Sequence, residues 1–239
     1  MLQKWYRKIK ELCSERKYYW IIPAYALFYI YAFRLIESLY PNYRYIHLIK
    51  CPLDQFIPFC EYSVIPYLSW FVFMLVAFAW FILFDPDPGE YYRFCFLLGT
   101  GMTIFVIVSA VWPNGLAIRP NTFDRHTIFM RMVTWLYLRD TPTNVFPSIH
   151  VYNSLGVWLA IRDCKMLKSK PWVSRLTGIW ALLIILSTMF LKQHSVYDVA
   201  AGALLCLLFY RLYYRRNSGR IGVEENGPAD SPSGETPPS

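Results

Sequence analysis

The chain has 239 residues, of which 56 % are hydrophobic, 19 % aromatic and only 17 % charged. Soluble globular chains carry less apolar and more charged material, and here the charges gather in short clusters between long uncharged runs, a pattern that excludes an ordinary water-soluble fold. The net charge of +8 points away from nucleic acid, because the basic residues flank apolar runs, where they meet anionic lipid headgroups.

In chain order, residues 1–18 are too charged over too long a stretch for a cleaved secretory signal. They read as a basic amphipathic segment on a membrane surface, though a plain solvated helix fits the same residues. Six apolar segments follow, at about 18–36, 63–84, 93–111, 148–163, 173–191 and 195–212, each near the ~20 residues that a spanning helix needs. The second is uncharged from Tyr62 to Phe84 and the third from Phe94 to Ile118. The sixth is the weakest, since only Val199 to Tyr210 separates Asp198 from Arg211. Ionisable residues in its first turn are what a site, rather than a plain span, places there. Residues 213–239, rich in Gly, Pro, Ser and Glu from Asn217 onward, have too little to bury and are expected to be disordered.

The expected fold is therefore all-α, a bundle of about six transmembrane helices over residues 19–212, with no internal repeat and one domain. The six cysteines form no CxxC or Cys/His pattern, so neither a disulfide scaffold nor a structural metal is expected. With six spans both termini share a side, and sixteen of the 24 Lys and Arg fall there (residues 4–17, 93, 162–175 and 211–220). Eight fall on the other side (residues 34–50, 119–139 and 192). The basic excess marks the termini as cytoplasmic, which puts His47, His126, His150 and His194 all at the outer end.

Three stretches at that outer end carry chemistry. His194 and Asp198 are four apart, hence neighbours on one face if a helix has begun. A carboxylate there fixes the imidazole tautomer and leaves the other ring nitrogen to attack, although the pair alone also fits a structural hydrogen bond. Pro147-Ser148 opens a helix well, and a helix N-terminus offers free N–H groups to an anion. His150, in that first turn, could donate a proton to a leaving group, or simply sit at headgroup level. Arg119 brings a planar fork suited to phosphate oxygens, but an Arg beside a span is as readily a membrane anchor. Together they make a phosphate cradle, a nucleophile and a general acid.

The order Arg119-Pro120, then Pro147-Ser148-Ile149-His150, then Ser187 followed by His194 and Asp198, resembles the type 2 phosphatidic acid phosphatase superfamily. The wording Lys192-Gln-His-Ser-Val-Tyr-Asp-Val199 is similar to the branch with the inositolphosphorylceramide and sphingomyelin synthases, as is Leu53-Asp54-Gln-Phe-Ile-Pro-Phe59. The resemblance covers roughly residues 19–212 and implies six helices, an outward-facing site and a reaction without metal or cofactor. By that resemblance His194 is the nucleophile that forms a phosphohistidine, Asp198 orients it and His150 protonates the leaving alkoxide. Arg119, Ser148 and the backbone near Ile149 hold the phosphoryl oxygens. Three positions depart from the family pattern. Trp112 stands where the first motif has Lys, Thr188 where the third has Arg, and Ile149 where the second usually has Gly. Two cradle cations are thus missing, and Arg125 and Lys192 are the best placed in sequence to replace them.

The implied partners are the bilayer and a membrane lipid phosphate. The expected activity is hydrolysis of a lipid phosphate or pyrophosphate, with lipid headgroup transfer as its rival. A transporter remains a reading from another class, but neither internal repeats nor broken helices support it. A serine hydrolase built on Ser148 lacks an exposing turn, and haloperoxidase relatives are soluble. The topology is tested by cysteine labelling in intact cells, where a cysteine at Asn121 is expected to label without permeabilisation. Labelling only after permeabilisation would overturn the outward placement of residues 113–147.

Overall fold

Six helices of the computed structural model, which describes residues 21–39, 46–85, 87–120 and 126–215, coincide with the six apolar segments. They are α1 (Ile21–Leu39), α2 (Val64–Leu83), α3 (Pro88–Val111), and, after a shorter α4 (Ile128–Arg139), α5 (Ile149–Asp163), α6 (Pro171–Phe190) and α7 (Val196–Tyr210). The basic segment at 1–18 and Arg125 lie outside the described residues, and so does the tail beyond residue 215. Residues 213–215, expected in the tail, instead continue α7 as a π turn over Arg211–Arg215.

Local chemistry explains where the helices begin and stop. Asp87 caps α3, its carboxylate accepting the Gly89 N–H at 2.8 Å, with Pro88 behind it at a position that has no use for an amide hydrogen. The other end stops at Trp112, whose successor Pro113 disfavours a helical residue before it. Thr127 caps α4 by accepting from Met130 N at 3.1 Å. α4 falls where an outer loop was expected. Its buried residues Met130, Val133 and Leu136 recur three apart and pack with Val64, Tyr67 and Leu191. At about 1.5 Å per residue its 12 residues cannot cross a membrane, so it reads as a helix laid against the end of the bundle.

Four helical stretches are long and apolar enough to cross a membrane: Glu61–Leu83, Pro88–Val111, Pro171–Phe190 and Val196–Tyr214. The chain is an integral membrane protein. The fourth segment, expected to span, is the 15-residue α5, about 22 Å long at ~1.5 Å per residue against a hydrocarbon core of ~30 Å. Packing explains why it is short and not wholly apolar. α5 touches α2, α3, α6 and α7, and Val151 to Ser154 with Gly156, Val157 and Leu159 to Ile161 are all buried. Protein, not lipid, surrounds it, so Asn153 and Ser154 are tolerated on it. The aromatic core of Phe73, Phe81, Tyr91 and Phe94 lies toward the end of the bundle away from the histidines.

Two close approaches set the position of α5. The Tyr152 ring packs against Gly101 of α3, where an added Cβ would overlap it, and its hydroxyl donates to Leu97 O at 2.7 Å. A Cβ on Gly202 of α7 would stand 2.5 Å from the Ser148 carbonyl oxygen, so the start of α5 sits directly on the α7 backbone. At the same end a two-residue parallel ladder, β1 (His47–Leu48) against β2 (Asn114–Gly115), ties the loop after α1 to the loop after α3.

Gly202→Ala should destabilise the protein by roughly 1–3 kcal/mol, the range for overpacking, because backbone faces the new methyl and cannot move aside. Gly99→Ala is the control, since nothing lies within 4 Å of its added Cβ and it should be neutral or slightly stabilising. Thermal unfolding in detergent compares the two.

Candidate active site

The site begins with the turn that leaves α6. The Thr188 carbonyl accepts two amides in succession, Gln193 N at 2.9 Å and His194 N at 3.2 Å. To make that reversal Lys192 adopts φ 54°, a left-handed backbone that costs a non-glycine residue about 1 kcal/mol or more. Its side chain helps to hold it there, because the Lys192 ammonium donates to Asp54 O at 2.8 Å and to Ile57 O. Burial pushes its pKa below the ordinary lysine value, with the charge of Asp54 opposing. Lys192, expected in the phosphate cradle, is therefore spent on two loop carbonyls. Being next to His194 in sequence said nothing about which way its side chain turns.

Ser195 then caps α7. Its N–H donates to Asp198 Oδ2 at 2.9 Å and its Oγ accepts from Tyr197 N at 3.3 Å. Asp54, brought in by the turn Pro52–Gln55, completes the cap. Its carboxylate accepts from Ser195 Oγ at 2.7 Å, Val196 N at 2.9 Å and Cys51 N at 3.1 Å. His194 thus precedes the helix, and it meets Asp198 across the cap and not on a helix face as the four-residue spacing suggested. His194 Nδ1 stands 3.5 Å from Asp198 Oδ2, ion-pair range but longer than a good hydrogen bond.

The start of α5 supplies the other half. Asn114, fully buried, accepts Val145 N and Phe146 N on its Oδ1, both at 2.9 Å, and so aims the chain into α5. Ser148 N donates to Asp198 O at 3.1 Å, and Ser148 Oγ accepts from Val151 N at 3.4 Å. As the acceptor in that cap bond, the hydroxyl keeps its own proton for another partner. Half-buried His150 sits in the first turn, its ring packed on Tyr67 and Trp70 with centroids 4.8 and 4.7 Å away.

The structure brings the two histidines together, with His194 Nε2 3.4 Å from His150 Nδ1. Beside them is a cavity of about 50 Å³ whose wall includes Phe33, Phe105, Asp140, Ile149 and Gln193. Arg119 reaches this wall at one remove. Its Nη2 donates to Gln193 Oε1, its Nη1 to Tyr137 O at 3.5 Å, and its guanidinium lies 4.4 Å from the Tyr137 ring centroid. Burial pushes the Tyr137 hydroxyl up to about 12 against the opposing charge of Arg119, so it stays a neutral donor, and it gives its proton to Leu191 O at 2.6 Å. His47 stacks on Trp112, and His126 is exposed. Neither joins the site.

Sequence reasoning missed Gln193, Tyr137, Asn114 and the pair Tyr67–Asp140, whose hydroxyl and carboxylate meet at 2.8 Å. Gln193 was within reach of it, lying inside the wording that carried the resemblance. Among the described residues, the acidic, Cys and His side chains close enough to share a metal are Asp85, Glu90 and Cys164, at the other end of the bundle.

A family model described as the PAP2 superfamily matches residues 94–221, a stretch that contains Arg119, His150, His194 and Asp198. No curated protein and no solved structure matches the chain.

Asp54 lies outside that stretch, yet it holds the turn that carries His194. Asp54→Ala should lower stability by about 2–3 kcal/mol, the range for losing hydrogen bonds to a buried charge, and should reduce turnover in step with it. Asp54→Asn, which keeps the shape but loses the charge, should fall between. Unfolding midpoints and activity of the three proteins, measured together, check this.

Proposed function

The chain belongs to the PAP2 superfamily, and from that membership we propose that it is a membrane enzyme moving the phosphoryl group of a lipid through a phosphohistidine on His194. Members of the superfamily are phosphatases or phosphotransferases, so the reaction class follows from the family. The carrying observation is the meeting of two imidazoles at 3.4 Å, one of them backed by Asp198.

In the first step the lone pair of His194 Nε2 attacks phosphorus and the bond from phosphorus to the lipid oxygen breaks. Burial, and then the neighbouring His194, disfavour a charged His150, so the negative phosphate beside it is what lets it carry the proton that the leaving alkoxide takes. Asp198 stabilises the positive charge that develops on His194 by facing its Nδ1–H. In the second step water attacks phosphorus and gives its proton to the now neutral His150, and the phosphorus–nitrogen bond breaks to release phosphate and restore His194. A lipid alcohol in place of water makes the same second step a headgroup transfer.

The reading requires no metal. The carboxylates near the histidines each already hold a bond: Asp54 with Cys51, Ser195 and Val196, Asp198 with Ser195 through Oδ2, and Asp140 with Tyr67. Headgroup transfer is kept as a second reading on one observation. With Lys192 bonded to loop carbonyls, the cradle has fewer cations than a doubly charged phosphate calls for.

The test is incubation of the purified protein with a phosphorus-labelled lipid phosphate. Acid-labile label should appear on His194 and should be absent from His194→Ala, with EDTA having no effect on turnover. Replacing His194, Asp198 or His150 should each cost on the order of 10²–10⁴ in rate without loss of membrane insertion, and the losses should not add. Near wild-type activity in His194→Ala would sink the nucleophile assignment.

A further inference from the structure

Gln193 is 3 % exposed, so its amide is fully withdrawn from bulk water. Its Oε1 accepts from Arg119, while its Nε2 has no hydrogen-bond partner among the described residues. A buried amide donor left unpaired costs about 1–3 kcal/mol, and such groups in native proteins call for an explanation. The backbone is not free to relieve it, because Gln193 N is bonded to Thr188 O. The side chain lines the cavity beside His150 and His194, where the phosphoryl oxygens must lie if His194 is the nucleophile.

We propose that the Gln193 amide is a phosphoryl-oxygen donor standing in for a cradle cation, and that the resulting weakly positive cradle selects a singly charged phosphodiester headgroup over a doubly charged phosphomonoester. The inference rests on the phosphoryl-transfer reading above. Its first half follows from position. A donor with no other partner among the described residues, on the residue before the nucleophile and on the wall of the cavity beside it, is placed to serve the phosphoryl oxygens. Arg119 braces it from behind, since a guanidinium bonded to Oε1 polarises the amide and makes its N–H groups stronger donors.

The second half follows from charge. A phosphomonoester brings about −1.5 to −2 near neutral pH, whereas a phosphodiester brings about −1. Arg119 supplies one positive charge and reaches the cavity through Gln193. Lys192 faces away, and Asp140 lines the same cavity. A carboxylate there opposes each added negative charge on the ligand. A neutral donor stabilises an oxygen without rewarding a second charge, as a lysine or arginine would.

The experiment measures kcat/KM on phosphatidic acid and on phosphatidylcholine in mixed micelles, for wild type, Gln193→Lys and Gln193→Glu, with unfolding midpoints alongside. Wild type should favour the diester. Gln193→Lys should move the monoester-to-diester ratio toward the monoester by about tenfold or more, one added charge acting in a water-poor site. A glutamine that merely positioned Arg119 would give no such swing, because a lysine beside the guanidinium would lower both activities together. Gln193→Glu should lose on the order of 10²-fold near neutral pH, as expected for a lost donor. It should recover as the pH falls, since the protonated carboxyl is again a neutral donor.

A ratio unchanged in a folded Gln193→Lys, or a wild type that prefers phosphatidic acid, overturns the proposal. Should Gln193→Lys fail to fold, the pH profile of Gln193→Glu decides, and a profile parallel to wild type overturns it equally. A wild type that turns over neither lipid and takes no label on His194 removes the phosphoryl-transfer reading and this proposal with it. An active wild type with indifferent Gln193 variants removes only this one.

Discussion

The start of α5 rests on the start of α7, and the rest of the site depends on that contact. The Ser148 amide donates to the Asp198 carbonyl, and the Ser148 carbonyl lies where Gly202 leaves room for it. Two helix N-termini therefore converge. Each carries unpaired amide hydrogens and a partial positive charge, so their meeting would be repulsive without anionic company. Asp54 and Asp198 provide it, both nearly inaccessible to solvent and both bonded to amides around the start of α7. The same convergence that needs two carboxylates for stability is where the proposed function puts the phosphoryl oxygens.

Asp198 shows how stability and chemistry share one group. One of its oxygens closes the cap of α7 through Ser195 N and also faces His194. A carboxylate doing both cannot swing away from the histidine without opening the helix, which holds it in place at no further conformational cost. The same economy explains why α5 is central. A helix that brings His150 to within 3.4 Å of His194 lies inside the bundle, and once inside it has no need of a bilayer's length.

The six helices were legible because a long apolar run has few other uses in a chain of this composition. α4 was not, since twelve residues with an amphipathic stripe and two basic residues resemble any polar loop. The ladder of His47–Leu48 with Asn114–Gly115 is too short to leave a periodic trace. His194 and Asp198 were found through a spacing whose physical reason was different, a helix face in place of a cap. Arg119 could be read from its neighbours, but Gln193, 74 positions away, could not be known as its partner. Lys192 shows the converse, a cation adjacent to the nucleophile in sequence whose side chain the turn sends elsewhere.

The 3.4 Å between His194 and His150 also says which part of the site must move. A nucleophile in line needs about 3–3.5 Å to phosphorus, and the acid needs a further ~2.6–3.2 Å to the leaving oxygen. On the proposed mechanism the phosphoryl group cannot fit between the rings as they stand, so substrate would have to part them. His194 is the fixed one. Its amide is bonded to Thr188 O, and its turn is clamped through Lys192 and Asp54. Among the described residues the His150 ring is held by the aromatic faces of Tyr67 and Trp70 and by His194. Stacking contacts of that kind constrain direction less than a hydrogen bond does. In the proposed reaction the nucleophile, His194, is therefore preset while the acid, His150, yields, a division suited to a step in which the attacking nitrogen must be aimed and the proton donor must follow a departing oxygen.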